Sequence, residues 1–260
     1  MPLTDARASA RGARLALERL LGELDVPPSL PAGFLDRVEA YVDLLLDANA
    51  GVNLTRVVEP DAVARLHLLD SIAALPHVDQ LAPGRAVDLG SGGGVPGLVL
   101  ALARPSIEWT LVDSVAKKAD ALRSFSASLH PSSLRVLGER AEVLGRDPAH
   151  RESYDLVTAR ACAALPVLAE YALPLLRIGG RLIAWKGPIS DDELAAGAAA
   201  ADLLGGGPPL VHPSGLRALG GHRFVVVDKR SATSERFPRR RGQPLKSPLG
   251  RSTGHTSPGH

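Results

Sequence analysis

The residues with the clearest chemical meaning form a glycine-rich segment, DLGSGGGVPG, at positions 88–97. It separates two apolar runs, so its glycines lie where a strand turns sharply into a helix and exposes backbone N–H groups to a ligand. A second acid, Asp113, follows the next apolar run, 25 residues after Asp88. A carboxylate at that place can accept both hydroxyls of a ribose. The pattern predicts a bound cofactor that contains a nucleoside.

The spacing of the glycines narrows the class of cofactor. The sequence contains no GxxxxGK[ST] segment, which excludes a P-loop nucleotide site. The dinucleotide pattern needs a third glycine three residues after the second, and that position, counted from Gly90 and Gly92, is Val95. The form that remains, DxGxGxG, resembles the first motif of Rossmann-like methyltransferases that use S-adenosylmethionine.

Further segments extend this resemblance over about residues 34–249. They are NLT at 53–55, HLLDS at 67–71, LVDS at 111–114 with KK at 117–118, TARA at 158–161, KG at 186–187 and FPRR at 237–240. In this order they resemble the glucose-inhibited division protein B family, the bacterial small-subunit ribosomal RNA methyltransferases that modify guanine N7. The resemblance implies S-adenosylmethionine as the cofactor. It also implies 16S ribosomal RNA or the small ribosomal subunit as the partner.

The resemblance assigns roles to individual positions. The residues expected to bind the cofactor are Asp88, Gly90, Gly92, Val95, Asp113, Ala141, Glu142 and Arg160. The residues that could position the reactants are Arg160, Lys186, His67 and Asn53. Arg160 also has a rationale of its own, because it follows a predicted strand and so lies on the rim where parallel sheets bind ligands. We expect it to contact the cofactor carboxylate or a phosphate rather than the guanine ring.

Guanine N7 carries an available lone pair and needs no deprotonation, so this acceptor agrees with a sequence in which no general base stands out. Other acceptors fit less well. Methylation of an adenine amine usually needs Asn or Asp before Pro-Pro and an aromatic residue, where this chain has TARA. Cytosine C5 chemistry needs a cysteine after Pro or Thr, whereas Cys162 follows Ala161. The eight histidines show no metal-binding spacing, and no metal is expected.

The elements that must position these residues follow from apolar periodicity. Helices are predicted over 13–24, 34–48 and 59–75, the last ending before Pro76. Strands are predicted over 86–89, 109–112, 135–137, 155–158 and 182–185, with helices over 97–104, 115–130, 165–176 and 191–204 between and after them. This alternation predicts an α/β fold with a mostly parallel, doubly wound sheet. Late strands near 211 and 224–227 could form an antiparallel hairpin.

The charge is unevenly distributed. Residues 229–260 hold eight Lys or Arg against one acid, a net charge of +7, while residues 1–228 carry −5. A basic segment of this kind indicates a polyanionic partner, and the residues expected to bind RNA are Arg239, Arg240, Arg241 and Lys246. The chain is therefore divided into a helical extension (1–80), a methyltransferase core (81–228) and a basic, partly disordered arm (229–260).

Composition sets the remaining expectations. Hydrophobic residues make up 45% of the chain, enough for a packed core, and no apolar run is long enough to span a membrane. A single cysteine fits a reducing compartment, and we expect a cytoplasmic monomer. Two alternative functions remain open. One is a non-catalytic RNA- or ribosome-binding protein that retains the nucleoside-binding fold. The other is a nicotinamide-dependent oxidoreductase, which the glycine spacing and the basic arm disfavour.

Overall fold

A computed structural model describes residues 3–131 and 133–250, without the side chains of residues 3–5. Its described part is built on one seven-stranded sheet with the strand order β3-β2-β1-β4-β5-β7-β6. The strands are β1 (Arg85–Leu89), β2 (Glu108–Val112), β3 (Leu134–Leu137), β4 (Tyr154–Arg160), β5 (Leu176–Lys186), β6 (Leu210–Pro213) and β7 (Arg223–Asp228). The first five are parallel, and β7 pairs antiparallel with both β5 and β6. The predicted α/β fold class and the late hairpin are confirmed.

The helices precede, connect and follow these strands. They are α1 (Leu3–Gly22), α2 (Phe34–Val52), α3 (Pro60–Val63), α4 (Asp70–Ile72), α5 (Leu75–Leu81), α6 (Gly97–Ala103), α7 (Ala116–Leu129), α8 (Ala141–Leu144), α9 (Leu165–Ala172), α10 (Asp191–Leu203) and α11 (Gln243–Lys246). A π-helical turn, Ala64–Leu69, joins α3 to α4, and a 3-10 turn, Arg217–Leu219, precedes β7. In the described chain, no helix is long and apolar enough to cross a membrane.

Side chains alternate between the two faces of the sheet, as the two-residue period of a strand requires. In β5, Ile183 and Trp185 pack in one hydrophobic cluster, while Leu182 and Ala184 pack in the other. The first cluster contains the apolar faces of α1, α2, α6 and α7, and the second contains those of α9 and α10. Both faces of the sheet are therefore covered, which explains why its strands are apolar on both sides.

The helical region before β1 differs from the prediction of one helix over 59–75. Pro60 does begin a helix, but the chain then widens into the π-helical turn, where the N–H of Asp70 bonds to the carbonyl of Arg65, five residues back. Pro76 does not end the helical region, because it occupies the first turn of α5, where its missing N–H costs no hydrogen bond. The helix predicted over 165–176 also differs from the prediction, because α9 ends at Ala172.

Residues 229–250, the described part of the basic arm, pack against the core. Lys229 is buried, and its Nζ donates hydrogen bonds to the carbonyls of Leu173 and Leu204 at 2.7 and 3.2 Å. The guanidinium of Arg151 donates to the carbonyls of Thr233 and Phe237 at 2.6 and 2.8 Å. These bonds fix the path of the arm across the sheet side that carries α9. The predicted disorder of its last stretch falls partly on residues 251–260, which lie outside the described residues.

Candidate functional site

A cavity lies at the carboxyl ends of β1 and β2, where the glycine-rich segment begins. We call it the glycine-loop cavity. Its wall consists of Leu89, Gly90, Val112, Asp113, Ser114, Glu139, Arg140, Ala141, Glu142, Cys162, Tyr171 and Leu245. Four residues expected to bind the cofactor lie in this wall, namely Gly90, Asp113, Ala141 and Glu142. Parallel sheets bind ligands at the carboxyl ends of their strands, which is where this cavity lies.

The glycine segment is held close to the sheet. The N–H groups of Gly90 and Ser91 both donate to the carbonyl of Val112, at 2.9 and 3.0 Å. Gly90 has a φ of 70°, a conformation that glycine adopts without strain. A Cβ at Gly97 would lie 2.5 Å from Cβ of Asp88, so the start of α6 can approach β1 only because residue 97 has no side chain. The tight turn thus leaves the glycine-loop cavity open at the carboxyl end of β1.

Asp113 lies in the cavity wall, with 7% of its surface exposed. Its Oδ2 accepts a hydrogen bond from the N–H of Gly92, and its Oδ1 accepts one from the N–H of Val115, both at 2.9 Å. A carboxylate offers about four acceptor positions, so this one can still accept ribose hydroxyls. Gly92 itself is not in the wall, and its contribution is the hydrogen bond that orients Asp113.

Asp88 does not line the glycine-loop cavity, and its contact with the cofactor stays a prediction. Its side chain is completely buried beneath the turn. There Oδ1 accepts from the hydroxyl of Thr158 at 2.7 Å and Oδ2 accepts from the N–H of Gly97 at 3.3 Å. Burial raises the pKa of Asp88 to about 6. Asp88 therefore joins β4 to the start of α6 and shapes the turn. Val95, also expected at the cofactor, lies outside the wall as well.

Tyr171 and Leu245 are among the wall residues that were not predicted from the sequence. Tyr171 is in α9 and Leu245 is in α11 of the basic arm. Burial, together with the negative charge of Glu142, raises the pKa of Tyr171 to about 12. Cys162 also lines the cavity, and burial beside Asp88 and Asp113 raises the pKa of its thiol to about 11. The thiol is therefore protonated at neutral pH and offers an apolar surface rather than a nucleophile.

A second cavity of about 230 Å³ lies at the carboxyl ends of β4 and β5. We call it the Arg160 cavity. It is lined by Asp70, Arg160, Ala161, Trp185, Lys186, Gly187 and His222. The segment after β4 separates the two cavities, since Cys162 lines the first and Ala161 lines the second. Lys186 is held at the edge of the Arg160 cavity, because its Nζ donates to the carbonyl of Ala163 at 2.9 Å and to Oε1 of Glu193 at 2.8 Å.

Arg160 lies on the predicted rim, but not in the wall of the glycine-loop cavity. Its Nη1 donates to the carbonyl of Leu66 and to Oδ2 of Asp70, the latter at 3.1 Å. Its Nη2 lies 3.3 Å from Nδ1 of His67. These contacts turn the guanidinium toward the helical extension and into the wall of the Arg160 cavity, and its contact with the cofactor stays a prediction. His67 and Asp70 both contact this guanidinium.

The other predicted positioning residues lie around this cluster. Burial and the nearby charge of Arg160 lower the pKa of His67 to about 4. The ring is therefore neutral at pH 7, with Nε2 at 2.8 Å from the hydroxyl of Thr55. Asn53, two residues earlier, is exposed and ends α2 in the left-handed conformation, with a φ of 55°. Asn53 makes the turn that brings Thr55 to His67.

The structure separates Arg239 from the other residues expected to bind RNA. Its guanidinium forms a bidentate ion pair with the completely buried carboxylate of Glu170, with Nη2 at 2.6 Å from Oε2 and Nε at 2.9 Å from Oε1. The donors of Arg239 are engaged inside the protein, and its contact with RNA stays a prediction. Arg240, Arg241 and Lys246 are exposed on the same segment.

The arrangement of strands, with a glycine turn after β1, is that of the class I S-adenosylmethionine-dependent methyltransferases. A putative O-methyltransferase from Klebsiella pneumoniae has the same fold, with a TM-score of 0.51 at 18% identity over 82% of this chain and 96% of that chain. An S-adenosylmethionine-dependent O-methyltransferase from Thermotoga maritima gives a TM-score of 0.50 at 16% identity, over 73% of this chain and 72% of that chain. At these identities the likeness defines the fold.

Sequence comparison defines the family. The GidB family, described as rRNA small subunit methyltransferase G, matches residues 35–213. Ribosomal RNA small subunit methyltransferase G of Deinococcus deserti is 44% identical over 229 residues, which cover 87% of this chain and 91% of the relative. The protein of the same name from Chloroflexus aggregans is 43% identical over 234 residues, which cover 89% and 98%. The chain belongs to the GidB family.

Proposed function

We propose that the protein transfers the methyl group of S-adenosylmethionine to N7 of a guanosine in 16S ribosomal RNA. Methylation of small-subunit ribosomal RNA is the activity for which its relatives are named. The observation that carries the cofactor assignment is the glycine-loop cavity, which brings Gly90, Asp113 and Glu142 together from three separate segments. We further propose that the protein acts as a monomer in the cytoplasm.

Four residues of this chain would hold the cofactor. Asp113 would accept the ribose hydroxyls, and the backbone at Gly90 would allow the close approach of the ligand that a side chain would block. Ala141 and Glu142 form the opposite side of the cavity at the start of α8. The apolar contacts that remain, from Leu89, Cys162 and Leu245, suit the flat face of a base.

For this reaction the protein mainly has to align the methyl donor with the acceptor. The cofactor supplies a methyl group on a positively charged sulfur, and the lone pair of guanine N7 attacks it without first losing a proton. The rate then depends on holding donor and acceptor in line in a site that excludes water. This agrees with the protonated state of the Cys162 thiol, which makes that residue no nucleophile.

The three parts of the chain have separate tasks in this proposal. Residues 1–80 support Arg160 through His67 and Asp70, and residues 81–228 hold the cofactor. Residues 229–260 contact the RNA, with Arg240, Arg241 and Lys246 exposed for phosphate binding. The alternative, a non-catalytic RNA-binding protein, is not favoured by the family match, because the relatives are named as methyltransferases.

The deciding experiment measures transfer of labelled methyl from S-adenosylmethionine to small ribosomal subunits that lack the modification, followed by nucleoside analysis of the recovered RNA. We expect the label in 7-methylguanosine. Label in another nucleoside would retain the methyltransferase and overturn the guanine N7 assignment. If the RNA carries no label although the protein binds S-adenosylmethionine, the catalytic proposal fails.

A further inference from the structure

Asp70 is shared between two side chains of the Arg160 cavity. It is buried, and its backbone is held by a hydrogen bond of 2.8 Å from Nε1 of Trp185 to its carbonyl. Its Oδ2 accepts from Arg160 at 3.1 Å, and its Oδ1 lies 3.0 Å from Nδ1 of His222. His222 is 152 residues away in sequence and immediately precedes β7. No sequence motif or expected role included it.

This contact orients the imidazole of His222. A carboxylate only accepts hydrogen bonds, so Nδ1 of His222 donates to Asp70. In the tautomer with its proton on Nδ1, Nε2 carries the lone pair. The side chain is 38% exposed and lines the Arg160 cavity. Among the described residues, no protein group bonds to Nε2. The cavity therefore contains one histidine whose acceptor atom is fixed in direction and available to a ligand.

We propose that His222 recognises the acceptor base, with Nε2 accepting the N1–H of the target guanine. This inference rests on the proposed function, because it takes guanine as the acceptor. Ala161 in the wall of the Arg160 cavity and Cys162 in the wall of the glycine-loop cavity are consecutive residues, so the two cavities are neighbours across this segment. A base in the first would present one edge past the segment toward a cofactor in the second. N7 and N1 lie on opposite edges of guanine. A base whose N7 faces the methyl group can thus direct N1–H toward His222.

The reaction strengthens this hydrogen bond. When the N7 lone pair bonds to the methyl carbon, the carbon–sulfur bond breaks, its electron pair stays on sulfur, and the base acquires the positive charge. A more positive base is a better N1–H donor, so the bond to His222 is stronger in the transition state than in the bound substrate. Asp70 keeps the ring oriented and offsets the charge of Arg160 beside it. Adenine presents a lone pair at N1 and would face Nε2 with a second acceptor.

The first test compares His222→Ala with the matched control His212→Ala, a histidine on the neighbouring strand β6 that is not in the cavity wall. The measurement is the single-turnover rate of methyl transfer to unmodified small subunits at saturating cofactor. We expect His222→Ala to lower this rate about 10- to 100-fold, with unchanged cofactor affinity. His222→Asn, which retains an acceptor oxygen, should recover part of the rate. Equal rates for the two alanine variants would overturn the proposal.

The second test uses RNA in which the target guanosine is replaced by inosine, which keeps N1–H, or by 2-aminopurine, which lacks it. The wild-type enzyme should methylate inosine and discriminate against 2-aminopurine. In His222→Ala this discrimination should fall by about tenfold or more, which a purely structural role would not produce. If the wild-type enzyme yields 7-methylguanosine but discrimination is unchanged in the variant, the role of His222 is wrong and the proposed function stands. If it yields none, the proposed function itself fails.

Discussion

Oε1 of Glu142 accepts a hydrogen bond of 2.8 Å from the backbone N–H of Gly242, and this contact joins the wall of the glycine-loop cavity to the basic arm. Leu245, three residues further on, completes the wall. The exposed Arg240 and Arg241 directly precede Gly242. Cofactor and RNA would therefore bind to two sides of one short segment. Any effect of RNA on cofactor affinity must then be matched by an equal effect of the cofactor on RNA affinity.

Replacing Glu142 with Ala tests this relationship. The substitution removes the acceptor for the Gly242 N–H and should release Leu245 from the cavity, so the dissociation constant for S-adenosylmethionine should rise about tenfold. Calorimetric titration measures the effect. Glu139→Ala is the matched control, because Glu139 lines the same cavity and, among the described residues, its side chain accepts only from the N–H of Arg140 next to it. Equal affinities in the two variants would contradict a role for the arm in closing the cavity.

Asp113→Ala should weaken cofactor binding without affecting the binding of RNA. The variant loses the acceptor for the ribose and also frees the N–H groups of Gly92 and Val115, so we expect a rise in the cofactor dissociation constant of about 10- to 100-fold. Asp192→Ala, an exposed carboxylate in the first turn of α10, should leave it unchanged. A variant that binds both ligands equally weakly would indicate a folding defect rather than a binding role.

The places of Gly90 and Asp113 in one cavity wall were predictable from the sequence, because each depends only on the strand that it follows. Gly90 and Asp113 each follow a strand directly, and parallel strands bring their carboxyl ends to one edge of the sheet. The burial of Asp88 was not predictable in the same way. Its position at the strand end is clear from the sequence, but only the packing of Gly97 and Thr158 around it shows that it is completely buried.

The rest of the site depends on contacts between segments that are distant in sequence. The spacing of residues along the chain does not predict such contacts. Glu170 and Arg239 are 69 residues apart, and the sequence does not show that α9 places Glu170 in the core beside Arg239. Leu245 lines the glycine-loop cavity and His222 lines the Arg160 cavity because the chain after β5 folds back toward the sheet edge. The predicted end of a helix at Pro76 failed similarly, because the sequence does not show whether a proline stops one helix or begins the next.

The exposed charges of the arm should carry the affinity for RNA. Replacing Arg240, Arg241 and Lys246 together with Gln should weaken binding to 16S ribosomal RNA and reduce the salt dependence, with the slope of log K against log salt falling by about 2 for a single-stranded target. Cofactor affinity should be unchanged, because none of these side chains lines the glycine-loop cavity. Filter binding over a series of salt concentrations provides the measurement. An unchanged slope would mean that other residues contact the phosphates.

Arg239→Ala should behave differently from its neighbours. It leaves the carboxylate of Glu170 buried without its partner, and loss of one member of a buried ion pair costs about 3–5 kcal/mol in the free energy of unfolding. Arg240→Ala removes an exposed charge and should change that free energy by about 0.5 kcal/mol or less. Urea unfolding of the two variants compares them directly. If both are equally stable, the ion pair with Glu170 does not anchor the arm.

His67 should make the protein sensitive to mild acid. Burial and the charge of Arg160 lower its pKa from 6.5 in the unfolded chain to about 4 in the native protein, so between these values the unfolded state binds a proton that the native state does not. Stability is therefore lost as the pH falls from about 6.5 toward 4, by up to about 3 kcal/mol from this group. Urea unfolding at a series of pH values measures the slope. His67→Gln should flatten it over this interval, and an equally steep slope in the variant would show that other groups cause the acid sensitivity.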